Sequence, residues 1–177
     1  MYKKGYGRVT VGAWLNAEMA QSNTACVLAL GILFALGGIL VRLLVGSPYL
    51  SILALGIKTL IPPVWLMCVL WTVSFFTVGC AAGLVLGYRG GGWEAEKYKG
   101  GMIFILMAVL ELCWYPTFFG AGLIFLSVLE TVAILCLAVG SMLCFSRVSR
   151  LSGILLFFHV IWLVYILILN FAVFFNG

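Results

Sequence analysis

Five apolar runs, each close to the length that crosses a bilayer, take up most of this chain. A transmembrane helix needs roughly 20 apolar residues in succession, whereas a membrane β-strand is shorter and alternates in polarity. The runs show no such alternation, and 65% of the residues are hydrophobic while only 8% are charged. A soluble domain of this size could not bury so much apolar surface. The sequence therefore predicts an all-α integral membrane protein, a bundle of five transmembrane helices over Ala25–Val45, Pro62–Tyr88, Gly101–Phe119, Gly122–Phe145 and Ser152–Phe175.

The segments between the runs define the domain organisation. Residues 1–24 form a polar N-terminal lead, and residues 25–177 form a single membrane domain. The lead lacks the basic-then-apolar layout of a cleaved signal peptide, so the first span is expected to be retained. Arg89–Lys99 is the most polar connection, and its glycines predict a flexible turn. The link at Gly120–Gly122 is so short that the third and fourth spans must be antiparallel neighbours.

Basic residues are distributed unevenly between the two ends of the predicted bundle. With five spans, the N-terminus, the second connection and the fourth connection share one side of the membrane. Only Arg42 and Lys58 lie on the other side. Because cytoplasmic segments carry the excess of Lys and Arg, we expect a multi-pass protein of a bacterial cell membrane with its N-terminus cytoplasmic and its C-terminus outside. The residues on the basic side are Lys3, Lys4, Arg8, Arg89, Lys97, Lys99, Arg147 and Arg150.

The second span begins and continues with distinctive residues. Pro62 and Pro63 fit the first turn of a helix, where the missing N–H would have no partner in any case. Further along, Gly79, Gly83 and Gly87 recur every fourth residue and leave a smooth strip. Such a strip brings two helices close together, either inside the bundle or across a homodimer. The sequence leaves both alternatives open.

Three ionisable residues fall inside the predicted spans: Glu111, Glu130 and His159. A charge at the bilayer centre costs about 3 kcal/mol on insertion scales, so such groups face the bundle interior and have partners. They either fix the packing of the helices through hydrogen bonds or face a ligand. Glu111 and Trp114 are three residues apart and share one helix face. A second stripe on the last span consists of His159, Trp162, Ile166 and Asn170.

The tryptophans divide into two groups. Trp14 and Trp93 are placed like the aromatic belt at a membrane interface. Trp71, Trp114 and Trp162 lie within spans beside polar or aromatic residues, which favours walls of a pocket. Flat aromatic walls suit a flat, polarisable ligand, and an apolar pocket with a few polar groups is the usual small-molecule site.

Other chemistries have little support in the sequence. The six cysteines lie inside apolar runs without a CxxC pattern, so we interpret them as small apolar residues rather than as disulfides or metal ligands. We predict no metal site, since His159 has no second ligand nearby in sequence, although an axial haem ligand remains an alternative for it. The glycines of Arg89–Lys99 lack a phosphate-binding spacing, and nothing indicates nucleic-acid binding.

Three motifs resemble those of the TspO/MBR family, the tryptophan-rich sensory proteins that include the mitochondrial translocator protein or peripheral benzodiazepine receptor. The first is Pro62-Pro63-Val64-Trp65 with Trp71 and Gly79, and the second is the segment from Trp114 to Ala121, with the sequence WYPTFFGA. The third runs from Leu155-Leu156 through Trp162 to Leu169-Asn170. The motifs stand in the family's order and cover about residues 62–170.

The resemblance implies a five-helix bundle, often dimeric, with a pocket under the first loop, here Gly46–Ile61. Family members bind porphyrins and other tetrapyrroles, and animal members bind cholesterol and benzodiazepine-type drugs. Some bacterial members are reported to degrade protoporphyrin in light with two pocket tryptophans, whose positions match Trp71 and Trp162. The other implied pocket positions match Phe75, Glu111, Trp114 and Phe119.

Several pocket positions depart from the family pattern. Glu111 stands where the family usually has Asn, Leu112 replaces a Trp, and Phe75 replaces a Tyr. Phe158-His159 replaces Pro-Tyr, and Glu130 is the acidic residue of the fourth span. The pocket is therefore more ionisable than usual. The chain also lacks the Tyr and Arg of the cholesterol motif after Asn170, so cholesterol binding is not expected.

The sequence thus predicts a membrane binding protein or sensor for a planar hydrophobic ligand, best matched by a porphyrin, haem or another tetrapyrrole. Drug-like benzodiazepine-type ligands are further candidates, and no cofactor is required. One alternative is a light- and oxygen-dependent porphyrin-degrading enzyme with Trp71 and Trp162 as catalytic residues; another is a small-molecule transporter or structural subunit. The predicted ligand-binding residues are Trp71, Phe75, Glu111, Trp114, Phe119, His159 and Trp162.

Overall fold

The computed structural model describes residues 10–45 and 62–176, which fold into helices and contain no β-strand. Five of these helices are long and apolar enough to cross a membrane, the third of them extended by a π-helical turn. The predicted fold class is thereby confirmed, and the chain is a multi-pass membrane protein. The elements are α1 (Val11–Ala20), α2 (Thr24–Val45), α3 (Val64–Leu86), α4 (Glu94–Tyr115), the π-helical turn (Pro116–Gly120), α5 (Ile124–Val148) and α6 (Arg150–Asn176).

The spanning helices form a bundle in which α6 lies between α3 and α5. Helix α2 packs on α3, α3 also packs on α6, and α6 packs on α5. Helix α4 packs on α5, as the short link between them predicts. The predicted first loop, Gly46–Ile61, lies outside the described residues.

The glycine strip of α3 packs against α2 inside the bundle. A Cβ atom at Gly79 would lie 2.3 Å from the carbonyl oxygen of Leu30, and one at Gly83 would lie 2.4 Å from the Cα of Val27. Such distances are shorter than van der Waals contact, so only glycine allows this approach. Of the two roles open from the sequence, the structure shows packing within the bundle.

The polar lead contains a short helix that is held against the ends of other helices. The side chain of Thr10 caps α1 by accepting a hydrogen bond from the N–H of Ala13. At the other end, the Ser22 hydroxyl donates to the carbonyl of Leu84 at 3.0 Å. The Ser149 hydroxyl donates to the Glu18 carboxylate at 2.7 Å, which ties α1 to the link between α5 and α6.

The prediction that Arg89–Lys99 is a flexible turn was wrong for its second half. Helix α4 begins at Glu94 rather than at Gly101, so the third span is about two turns longer than predicted. Two acidic residues in the first turn, Glu94 and Glu96, favour a helix start because they lie at the positive end of the helix dipole. Lys97 donates to the carbonyl of Tyr88 at 3.1 Å and fixes the turn that precedes the helix.

The third span ends in a π-helical turn that begins at Pro116. Proline has no N–H for the regular helical ladder, and a wider turn is one way to accommodate it. The carbonyl of Pro116 accepts a hydrogen bond from the N–H of Ala121 at 2.9 Å, five residues ahead. The turn carries Phe118, which is buried, and Phe119 into the bundle.

Candidate ligand-binding site

Three indoles from three different helices meet in the bundle. The ring of Trp71 on α3 stacks on that of Trp114 on α4, with centroids 5.4 Å apart and an interplanar angle of 29°. The third indole, Trp162 on α6, meets Trp71 edge-to-face, with centroids 6.2 Å apart and an interplanar angle of 82°. Offset-stacked and edge-to-face arrangements at these distances are favourable for aromatic pairs. Trp71 is therefore the centre of the indole cluster, defined as Trp71, Trp114 and Trp162.

Other aromatic rings surround the indole cluster. Phe75 stacks on Trp71 at 5.6 Å from one turn further along α3. Phe119, carried by the π-helical turn, lies edge-on to Trp114 at 5.9 Å. Tyr115 contacts Trp71 at 5.7 Å, and Phe118 stacks on Trp114 at 5.2 Å. The wall of the site is thus almost entirely aromatic on the sides formed by α3 and α4.

A buried polar triad lies beside the indole cluster. Oε1 of Glu111 is 3.4 Å from Nε2 of His159. The other ring nitrogen, Nδ1, is hydrogen-bonded to Oγ of Ser74 at 2.7 Å. When the Ser74 hydroxyl donates to Nδ1, the imidazole carries its proton on Nε2. This nitrogen lies on the side of the Glu111 carboxyl group but makes no hydrogen bond to it. The triad joins α3, α4 and α6 at the level of the indoles.

Three polar atoms of the indole cluster and the triad have no hydrogen-bond partner among the described residues. They are Oε2 of Glu111, Nε2 of His159 and Nε1 of Trp114. All three side chains are almost completely buried, with His159 0% exposed and Glu111 and Trp114 each 4% exposed. Buried polar atoms without a partner are rare and destabilising. These atoms are therefore the ones that a bound polar group would satisfy.

A small cavity opens between the indole cluster and α5. Its volume is about 10 Å³, close to the minimum that accommodates one water molecule. The rings themselves fill most of the space between the helices, so a planar ligand can enter only if they separate. The cavity is lined by Trp71, Glu111, Trp114, Thr131, Ile134, Trp162, Leu163 and Ile166.

A second polar cluster lies next to the cavity, on α5 and α6. Nδ2 of Asn170 donates to Oγ1 of Thr131 at 2.5 Å and to the carbonyl of Ser127 at 3.4 Å. Thr131 in turn donates to the same carbonyl at 2.7 Å. These bonds fix α6 against α5 and place Thr131 at the cavity wall. The stripe predicted on the last span is confirmed, since His159, Ile166 and Asn170 are buried on one side of α6.

The structure brings all seven predicted ligand-binding residues into one connected cluster. Four of them, Trp71, Glu111, Trp114 and Trp162, line the cavity directly. The remaining three, Phe75, Phe119 and His159, contact those four from behind. Among the described residues there is no group of three or more His, Cys, Asp or Glu that could hold a metal ion.

The remaining candidate residues lie away from the cavity. Glu130 is half-buried on α5 and does not line it. Trp65 is 66% exposed and points away from the bundle. Trp93 is also exposed, as expected for a tryptophan at the membrane interface. The six cysteines are all free.

Sequence reasoning missed several residues of the site. Ser74 has no charge and no motif to mark it, although it lies three residues from Trp71 on the same face of α3. Thr131 likewise has no charge and belongs to no motif, and the neighbouring Glu130 is the more conspicuous residue in the sequence. Tyr115 and Phe118 lie in the second motif and could have been included on position alone. The apolar lining of Ile134, Leu163 and Ile166 is indistinguishable from ordinary core in the sequence.

Comparison with known proteins points to the same family as the three sequence motifs. The model of the TspO/MBR family matches residues 24–175, which is nearly the whole chain. A relative named tryptophan-rich protein TspO, from Chlorobaculum tepidum, is 32% identical over 113 residues. The match spans 63% of this chain and 70% of that protein. With its five spanning helices and its cluster of membrane tryptophans, the chain belongs to the TspO/MBR family.

Proposed function

We propose that this protein binds a planar hydrophobic ligand, best matched by a porphyrin or another tetrapyrrole, at the indole cluster. The observation that carries the proposal is that Trp71, Trp114 and Trp162 come from three helices and meet beside a buried polar triad. Large aromatic faces with a few convergent polar groups are the usual composition of a small-molecule site. A tetrapyrrole presents a wide π-face to the indoles and carries nitrogen and oxygen atoms for the polar groups.

The ligand would replace ring contacts that the protein now makes with itself. Trp71 is the only member of the indole cluster that contacts both others in the described part of the chain. A movement of the Trp71 side chain would therefore free the space between Trp114 and Trp162 and open a slot there. Phe75 and Phe119 would flank the slot, because each already packs on one of the indoles.

Direct ligation of haem iron by His159 is disfavoured by the polar triad. Nδ1 is occupied by Ser74, and Nε2 faces Glu111 rather than the cavity. The imidazole would have to break one of these contacts to reach a metal. We therefore propose that His159 acts as a polar support for Glu111.

Titration with metal-free protoporphyrin tests the proposal. Purified protein in detergent should shift the visible absorption of the porphyrin saturably. Trp71→Phe and Trp162→Phe should each weaken binding by about two- to tenfold, because an aromatic contact contributes roughly 0.5–1.5 kcal/mol beyond its buried area. Trp65→Phe is the matched control, since that indole is exposed on the outside of the bundle. Absence of saturable binding, or equal affinities in all three variants, would contradict the proposal.

A second candidate function is light- and oxygen-dependent porphyrin degradation. The edge-to-face contact of Trp71 with Trp162 favours it, because neighbouring indoles can share an oxidising equivalent. Illumination of the porphyrin complex in air distinguishes the two functions. An enzyme yields product that is lost in Trp71→Phe or Trp162→Phe, whereas a binding protein returns the porphyrin unchanged. If no porphyrin binds, a transporter or structural role gains support.

We further propose that the N-terminus is cytoplasmic in a bacterial cell membrane. The described basic residues of the turn before α4 and of the link between α5 and α6 lie at one end of the bundle, with Arg89, Arg147 and Arg150 exposed. Trp71 lies near the start of α3 and Trp114 near the end of α4, so the cavity lies towards the opposite end. The site would then open towards the outside. An alkaline phosphatase fusion at the C-terminus should be active, and an inactive fusion would reverse the orientation.

A further inference from the structure

The carboxyl group of Glu111 lies at the cavity without a counter-charge. Its Oε2 has no hydrogen-bond partner among the described residues, and the residue is 4% exposed. Of the described residues that line the cavity, Glu111 alone carries an ionisable side chain. A buried carboxylate is costly unless a cation and hydrogen bonds compensate its charge. The site therefore has a place for a positive charge that the surrounding helices do not fill.

The neighbouring helices supply no fixed cation for this carboxyl group. Nε2 of His159 is 3.4 Å from Oε1 but makes no hydrogen bond, and Nδ1 is bonded to the Ser74 hydroxyl at 2.7 Å. With Ser74 as the donor, Nδ1 carries no proton and the imidazole is neutral. Helix α3 contains no Lys, Arg, Asp or Glu. Arg42 on α2 and Glu130 on α5 do not line the cavity.

The aromatic rings beside Glu111 also attract positive charge. Trp71, Trp114 and Trp162 line the same cavity as the carboxyl group. The face of an indole attracts a cation within about 6 Å of its centroid, and the attraction grows when the cation is removed from water. A carboxyl group among indoles therefore favours a cation twice, through its own charge and through the ring faces.

We propose that the site takes planar aromatic cations, with the positive charge of the ligand placed against Glu111. The flat ring lies in the slot between the indoles, and its charged nitrogen lies beside Oε2. The inference rests on the proposed function, because the cation enters by the same separation of the rings. It adds a selectivity that stacking alone does not give, since stacking responds to the ring whereas a buried carboxylate responds to charge. An anionic ligand group at this position would be repelled.

Calorimetric titration in a nonionic detergent with a matched pair of compounds tests the inference. 1-Methylquinolinium carries a permanent positive charge, and 1-methylnaphthalene has the same shape without the charge. Glu111→Gln, which keeps the shape of the side chain, should weaken the cation at least about tenfold, because charges in a protein interior are screened far less than in water. It should change the affinity for 1-methylnaphthalene by less than about twofold, because stacking does not use the charge. Partition of each compound into micelles is the same for both proteins and cancels in the comparison.

Glu130→Gln is the matched control for Glu111→Gln. It makes the same replacement at a half-buried carboxyl group of a spanning helix that does not line the cavity. The affinity for 1-methylquinolinium should therefore be retained in this variant. The thermal unfolding of each variant shows whether it is folded.

The pH dependence of cation binding is a second readout that needs no substitution. Protonation of Glu111 removes its charge, whereas the charge of the ligand is permanent, so the affinity of the wild-type protein should fall as the pH is lowered. His159 is the other titratable group beside this carboxyl group. A fall of the same size in Glu111→Gln would assign the effect to His159 and overturn the inference.

The outcomes are distinguishable from failure of the proposed function. Saturable porphyrin binding, with equal cation affinities in the wild-type protein and folded Glu111→Gln, overturns the cation inference alone. An equal loss of cation affinity in folded Glu130→Gln also overturns it. Cation binding that depends on Glu111 without porphyrin binding replaces the tetrapyrrole as the ligand and keeps the site. If neither the porphyrin nor the cation binds, the inference and the proposed function fail together.

Discussion

Replacing Gly83 with alanine should push α2 away from α3 and destabilise the bundle. The added Cβ would lie 2.4 Å from the Cα of Val27 and 2.9 Å from the carbonyl oxygen of Cys26, both backbone atoms that cannot move alone. Because carbon atoms pack best at about 3.5–4.0 Å, the two helices must separate by roughly 1 Å. Overpacking of this kind costs about 1–3 kcal/mol. For a chain of this length each kcal/mol lowers the Tm by about 2–4 °C, so a fall of roughly 2–12 °C is expected.

Thermal unfolding in detergent, followed by circular dichroism, measures the effect. Gly101→Ala is the matched control, since it changes a helical glycine with no atom within 4 Å of the added Cβ. Its Tm should stay equal or rise, because alanine is favoured over glycine in a helix by about 1 kcal/mol. Equal Tm values for Gly83→Ala and Gly101→Ala would refute the close packing of α2 on α3.

The same position also tests the homodimer that the sequence left open as an alternative. Gly83→Leu should lower stability without changing the oligomeric state, because the glycine strip is already covered by α2. Size-exclusion chromatography of the detergent-solubilised protein measures the state. A shift from dimer to a stable monomer would mean instead that the strip joins two copies.

Two further predictions concern the buried polar groups. Ser74→Ala should lower the free energy of unfolding by about 1–3 kcal/mol, because Nδ1 of His159 loses its partner. Ser146→Ala is the control, since it removes a hydroxyl whose hydrogen bond is exposed. Equal Tm values for the two variants would contradict the role of Ser74. Asn170→Leu should weaken the contact of α6 with α5 by a similar amount, about 1–3 kcal/mol, because Thr131 loses its donor. The Tm of this variant checks the loss, and an unchanged value would show that apolar packing alone fixes the two helices.

The sequence predicted the spans and their inward faces well, because both follow from local periodicity. Glu111 and Trp114 share a face at a spacing of three, and His159 and Asn170 lie on one stripe of α6. The cost of exposing ionisable groups to lipid then predicts that these faces point inward. Apolar length likewise identified all five spans. These properties need no knowledge of how the helices pack.

The start of α4 and the partners of His159 could not be predicted in the same way. Helix α4 begins at Glu94, outside the apolar run, because helix formation depends on backbone hydrogen bonds and end charges as well as on hydropathy. Gly100 lies within this helix, where a Cβ would come 2.8 Å from the ring of Phe145 on α5, so the glycine allows close packing of α4 on α5. Ser74 is 85 residues from His159 in sequence, so their contact follows only from the order in which the helices pack.

The small cavity also indicates how affinity and selectivity would be divided in this site. Trp71 already stacks on Trp114 at 5.4 Å and meets Trp162 edge-to-face at 6.2 Å. A flat ligand therefore exchanges one aromatic contact for another of the same kind, and its gain comes mainly from the apolar surface that it removes from water. The polar atoms differ, since Oε2 of Glu111 and Nε1 of Trp114 have no partner to lose. Under the proposed function, a ligand that supplies these partners would gain two hydrogen bonds without breaking any in the protein, so the choice among flat ligands would be made at Glu111 and Trp114 rather than at the ring faces.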